Sequence, residues 1–250
     1  MSEILRVQNV SKTYEDNAVK ALKNASFTVN EGELISIIGP SGSGKSTLLR
    51  CINRMIDVTS GSIKINGIDI RDYDVYKLRD MLGVIPQKAI LFSGTIEDNI
   101  RFGKKDASIE EIEHAAKIAQ AYSFIMDKEL GFQEPISEGA TNLSGGQKQR
   151  LSIARALVRK APVYIFDDSF SALDFKTDAK LRESLKHEMK DSIMMVVAQR
   201  ISSIMDADQI VVLNEGKVVG QGTHKELLKD CQIYKEIALS QLSEEELAYE

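Results

Sequence analysis

Residues 39–47 read Gly39-Pro40-Ser41-Gly42-Ser43-Gly44-Lys45-Ser46-Thr47, which places three glycines, a lysine and four hydroxyls within nine positions. These types at this spacing suit one task, the holding of a phosphate chain. Glycines let the backbone curl until successive N–H groups point at one anion, and a helix starting there adds the positive end of its dipole. Lys45 can reach the outer phosphates, and the Ser46 hydroxyl can ligate Mg²⁺. A chance match to G-x-x-x-x-G-K-[ST] in a chain this long has odds of roughly one in a hundred, so the stretch is read as a phosphate loop. Leu34-Ile35-Ser36-Ile37-Ile38 before it and Leu48-Leu49-Arg50 after it are the strand and helix that must position it.

Three further places carry chemistry. Val163-Tyr164-Ile165-Phe166-Asp167-Asp168 reads as a buried strand ending on two adjacent carboxylates. Ligands of open α/β sheets sit beyond the carboxyl ends of strands, which makes both acids candidates; the plainer alternative is an acidic cap on the next helix. Leu143-Ser144-Gly145-Gly146-Gln147 precedes a helical pattern and is either a second anion site or an ordinary helix-start loop. Tyr14, in the polar connection 11–17, is either a surface aromatic or a platform on which a base stacks.

Stepping along the chain, residues 4–10, 25–29, 62–65, 82–85, 193–198, 209–213 and 217–219 read as strands. Thr95 is a plausible N-cap, and Ser108 with Glu111 has the form of a capping box before Ile109, Ile112, Ala116 and Ala119 at helical spacing. Helices are expected over 177–190 and 224–240. The fold class is α/β: a P-loop NTPase (RecA-like) core, an antiparallel β-subdomain and an inserted α-helical subdomain. The boundaries expected are 1–87 and 156–240 for the core with its β-subdomain, 88–155 for the helical part, and an acidic tail over 241–250.

The 250 residues are 43% hydrophobic and 28% charged, ordinary for a folded globular chain, and the net charge of −5 argues against a nucleic-acid partner. Cys51 and Cys231 lie far apart, as in a reducing compartment, and no apolar run reaches the length of about 20 residues that spans a bilayer. His114, His187 and His224 are expected at the surface or at helix caps.

In motif order the chain resembles the nucleotide-binding domain of ATP-binding cassette (ABC) transporters over essentially its whole length. The resemblance implies Tyr14 as the adenine-stacking aromatic and residues 39–47 as Walker A, with Gln87 as the Q-loop glutamine. It implies residues 143–147 as the signature, 163–167 as Walker B, and Ser171-Ala172-Leu173-Asp174 as the D-loop. ATP and Mg²⁺ are the implied cofactors, with Gly39, Ser41, Gly42, Ser43, Gly44, Lys45, Ser46 and Thr47 at the phosphates and Ser46, Gln87 and Asp167 at the metal. In the family two domains pair head to tail, so Ser144, Gly145, Gly146 and Gln147 act on a partner's nucleotide. The partners implied are a second ABC ATPase domain, preferably a different one, and transmembrane domains on other chains or deleted. The location implied is cytoplasmic, at the inner face of the membrane.

Two positions depart from the family pattern. Asp168 stands where a glutamate usually polarises the attacking water, and a side chain one methylene shorter retracts by roughly 1.3 to 1.5 Å, where a misplacement of about 1 Å can cost on the order of 10²-fold in rate. Gln199 stands where the family has its switch histidine; it can hydrogen-bond a γ-phosphate but cannot take a positive charge. Both fall in one site, as in the degenerate half of heterodimeric exporters, so ATP binding with slow hydrolysis is expected. An ATP-dependent dimerisation module with little turnover is the alternative. Phe92 and Glu138-Gly139 resemble exporters, whereas Ser11-Lys12-Thr13-Tyr14 and residues 48–54 resemble importer ATPases. Either the chain is a chimera joined between about 60 and 80, or one family has diverged.

Overall fold

The computed structural model describes residues 2–14 and 19–242. In chain order, the elements begin with β1 (Glu3–Tyr14), β2 (Val19–Asn30), β3 (Leu34–Ile38), α1 (Lys45–Ile52), β4 (Ser60–Ile65), β5 (Ile68–Asp69) and α2 (Val75–Asp80). They continue through β6 (Leu82–Ile85), β7 (Gly94–Thr95), α3 (Ile96–Arg101), α4 (Ile109–Ile118), α5 (Tyr122–Met126), β8 (Pro135–Ile136), α6 (Gly145–Leu157), β9 (Val163–Asp167) and α7 (Phe175–Glu188). The last are β10 (Ile193–Val197), β11 (Gln209–Asn214), β12 (Lys217–Gly222), α8 (His224–Asp230) and α9 (Gln232–Leu239). Two compact units divide them, one made of residues 1–79 and 191–250, the other of residues 80–190. β6 and β9 fall within the second unit, together with its helices.

In the first unit, β2, β1, β4 and β5 form an antiparallel sheet in that order. Leu5 lies opposite Val29 and Ile65, and all three are buried. The apolar alternation of β1 slips from Val7 to Val10 because Asn9, at φ 50°, makes a bulge. Only a residue without Cβ fits opposite: at Gly61 a Cβ would lie 2.3 Å from the Asn9 carbonyl oxygen. β1 is longer than residues 4–10, and Tyr14 is its last residue rather than part of a loop. The rest of that connection, 15–18, lies outside the described residues, as does Glu244-Glu245-Glu246. The same unit carries β12, β11, β3 and β10 side by side, with β3 parallel to both β10 and β11. Both faces of β10 are buried, which explains its unbroken apolar run.

The second unit pairs β6 with β9 in parallel, Leu82 opposite Val163 and Ile85 opposite Phe166. Around them are helices whose starts the sequence marks well. Thr95 and Ser108 each accept from the backbone N–H three residues on, completing capping boxes with Asp98 and Glu111. Arg155 on α6 donates to the Asn99 and Ile90 carbonyls and to the Asn99 side chain, and burial lowers its pKa to about 10.

Three expectations need correcting. The helix expected over 177–190 starts earlier, at Phe175, because Asp174 caps it. The helix expected over 224–240 is two, broken at Cys231, whose backbone is extended. His224 is not at the surface: it is 4% exposed, and its Nδ1 lies 2.7 Å from the Tyr234 hydroxyl, tying α8 to α9, while Thr223 is the cap.

Candidate nucleotide site

The loop 39–47 takes its shape from the strands of the first unit. A Cβ on Gly39 would stand 2.0 Å from the Leu213 carbonyl oxygen of β11, and one on Gly44 would stand 2.5 Å from the Ala21 carbonyl oxygen of β2. Both positions also have positive φ, so any side chain is excluded twice. The Gly216 N–H donates to the Ser43 carbonyl at 3.0 Å and the Gly216 carbonyl accepts from the Lys23 N–H of β2 at 2.7 Å, closing the loop against the turn between β11 and β12, itself tied to β2. Gly42 has nothing within 4 Å of its absent Cβ, so its face stays open. Lys45, the first residue of α1, donates to the Gly39 and Pro40 carbonyls at 2.6 and 2.8 Å. Its ammonium therefore stands over the loop.

Beside the loop is a pocket of about 660 Å³, lined by residues 39–47 together with Val19, Ala21, Gln199, Glu215 and Gln241. That volume lies within the range usual for small-molecule sites. The Tyr14 hydroxyl is 3.5 Å from Thr47 Oγ1, so the aromatic expected at the base stands next to the phosphate loop. Gln199, 160 residues further along, lines the same pocket. Among its lining residues, Glu215 and Gln241 belong to no motif the sequence reading used. Only tertiary structure brings them here.

In the second unit Asp167 ends β9, half-buried, and Asp168 follows at φ 47°, in the left-handed region. Aspartate tolerates that conformation better than most residues, and the turn directs its carboxylate away from the line of the strand. The Gln87 side-chain amide donates to Asp168 Oδ2 at 2.9 Å, joining two of the expected residues in one contact. Neither carboxylate caps the next helix; that role falls to Asp174, which accepts from the Thr177 N–H and hydroxyl at 3.0 and 2.7 Å. These Thr177 hydrogen bonds hold the Asp174 carboxyl below the usual range.

Ser144 is the N-cap of α6. Its hydroxyl accepts from the Gln147 N–H, and Gln147 Oε1 accepts from the Ser144 N–H at 3.0 Å. The sequence reading took this stretch as an anion site or a helix-start loop and did not identify the capping box. The box makes Ser144 and Gln147 a structural unit whatever else they bind. A Cβ on Gly146 would sit 3.3 Å from the Ala172 carbonyl oxygen, so the signature stretch adjoins residues 171–174.

Loop amides, a lysine and the Ser46 hydroxyl fit a polyphosphate with a hard cation. Among the described residues, no group of three or more His, Cys, Asp or Glu side chains could hold a metal ion.

An ABC transporter family model matches residues 22–171, and the chain belongs to that family. An ABC transporter ATP-binding protein of Mycobacterium tuberculosis is 43% identical over 241 residues, 95% of this chain and 41% of that protein. The ATP-dependent lipid A-core flippase of Syntrophus aciditrophicus is 40% identical over 250 residues, 100% of this chain and 41% of its own length. The structure of a bacterial Atm1-family ABC exporter with ATP bound is 37% identical with a TM-score of 0.92, covering 97% of this chain and 42% of that one. The chain thus spans about two fifths of the length of the relatives it matches. These matches necessarily include residues 60–80, so single proteins resemble the chain on both sides of the expected join.

Proposed function

We propose that the chain is the ATP-binding and ATP-hydrolysing motor domain of an ABC transporter. The observation that carries this reading is the loop 39–47, shaped by the Leu213 and Ala21 carbonyls around glycine and opening onto a pocket that Gln199 also lines. The loop amides and Lys45 hold the phosphates and stabilise charge on the transferring phosphoryl group. Tyr14 supports the base. Ser46 is the metal ligand on the loop, and Gln87 and Asp167 serve the metal by family resemblance. Bound Mg²⁺ supplies charge neutralisation at the phosphate oxygens.

Hydrolysis at this chain's own Walker site is slow, because Asp168 is short for polarising water and is engaged by Gln87 at 2.9 Å, while Gln199 cannot become cationic. Ser144, Gly145, Gly146 and Gln147, with Asp174 nearby in sequence, serve a second ATPase domain paired head to tail, preferably one with a competent site. Transmembrane segments lie elsewhere: no described helix is long and apolar enough to cross a membrane. The lipid A-core flippase and the Atm1-family exporter support export as the direction and the cytoplasmic face of a membrane as the place of work. The domain boundaries 1–87 with 156–240, and 88–155, are proposed as the family's subdomains.

The test is MgATP turnover by this chain and by Asp168→Glu/Gln199→His. The double variant is expected to hydrolyse at least tenfold faster, in line with the cost of a misplacement of about 1 Å. Rapid turnover by the unmodified chain with no gain in the variant contradicts the slow-site reading.

A further inference from the structure

Gln241, two residues beyond the end of α9, lines the nucleotide pocket although it belongs to no motif. Its side-chain Nε2 donates to the Gln199 carbonyl at 2.8 Å, and its Oε1 accepts from the Ile201 N–H at 2.8 Å. One carboxamide therefore grips the backbone on both sides of Arg200. A carboxamide presents a donor and an acceptor in one plane, and a carboxylate in its place cannot donate to Gln199. The base of the grip is rigid. Tyr234 and Ala238 of α9 are wholly buried, and Tyr234 is anchored to His224. The other end of the same loop is fixed by the Ala198 N–H, which donates to the Ile37 carbonyl of β3 at 3.3 Å.

We propose that Gln241 is a positioning residue that acts through Gln199, holding the Gln199 loop at the phosphate pocket so that the site distinguishes ATP from ADP. The inference rests on the reading of this pocket as the ATP site. Without the Gln241 carboxamide the loop keeps its Ala198 hydrogen bond and the buried Ile201 side chain but loses the tie at the Gln199 carbonyl, which loosens Gln199 against the terminal phosphate; a hydrogen bond to a charged group is worth about tenfold in affinity. The base and the inner phosphates do not depend on this loop. The clamp therefore bears on ATP and leaves ADP untouched.

The experiment compares the unmodified chain with Gln241→Ala, Gln241→Glu, Gln199→Ala and the Gln241→Ala/Gln199→Ala double variant. It measures affinity for ADP and for the ATP analogue with an imido bridge, and amide hydrogen exchange across residues 198–204. Expected are an analogue-to-ADP preference reduced about tenfold in Gln241→Ala and to the same extent in Gln199→Ala, with no further loss in the double variant. ADP affinity should stay within twofold. Exchange at the Ile201 amide should accelerate in Gln241→Ala and less so in Gln241→Glu, which keeps the acceptor. Equal losses for ADP and analogue, additive effects in the double variant, or unchanged exchange at Ile201 would each overturn the proposal. If the unmodified chain binds neither nucleotide, the motor reading fails, and exchange at Ile201 still decides whether the clamp exists.

Discussion

At the scale of single residues, the site depends as much on atoms that are missing as on those that act. Gly39 admits no Cβ because the Leu213 carbonyl already occupies that space, at 2.0 Å. Backbone cannot yield as a flexible side chain can, so Gly39→Ala must displace either the loop or β11. We expect Gly39→Ala to lower ATP affinity at least a hundredfold while the chain stays folded, measured by titration calorimetry beside circular dichroism. Gly42→Ala meets no neighbour within 4 Å and differs only in its strained φ of 75°, so it should be milder. The reading of Lys45 and Ser46 rests on type and spacing that follow from phosphate chemistry, and that of Tyr14 on the family resemblance. What shapes their surroundings was not legible: the Leu213, Ala21 and Gly216 backbones carry no side-chain signature. Gln241 was missed for a related reason, since its partners are the backbones of Gln199 and Ile201.

At the scale of elements, the caps decide where helices begin. Thr95 and Ser108 were readable because a capping box is purely local, whereas Asp174 was read as a D-loop residue and the helix it caps was placed from 177. Ser144→Ala should cost about 1 kcal/mol of stability, with Ser144→Asn restoring most of it, as denaturant unfolding would measure. Glu111 shows how a cap can depend on pH. Lys104 and Lys160 bind its carboxylate at 2.8 and 3.0 Å and the Ser108 N–H adds a third contact, lowering its pKa from 4.5 to about 2. A depressed folded-state pKa stabilises above the unfolded value and ceases to do so as pH falls. The melting-temperature advantage over Glu111→Gln should therefore be full above pH 5 and shrink between about pH 4.5 and 2. A constant difference across that window would assign the effect to geometry instead of charge. The break between α8 and α9 escaped the sequence reading because Cys231 is neither glycine nor proline; its backbone is extended and its thiol packs beside Gly220.

At the scale of the whole molecule, the α/β class and the family were visible in motif order, while the grouping of strands was not. β6 and β9 are short apolar runs like β3 and β10, and only contacts assign them to residues 80–190. The proposed pairing belongs to this scale. Mixing the chain with MgATP should raise its sedimentation coefficient toward a dimer, more strongly with a related domain that carries glutamate and histidine at the two divergent positions. Lys45→Ala should abolish the effect. The family match ends at residue 171, yet the wall behind Gly39 is Leu213, and the turn that closes on Ser43 is Gly216. A fragment ending where the recognisable region ends would keep every glycine and the lysine of its best-known motif and lose the surface that bends them into a loop. For this chain the structural unit that shapes the phosphate loop therefore extends at least to Gly216, well past the region the family model matches.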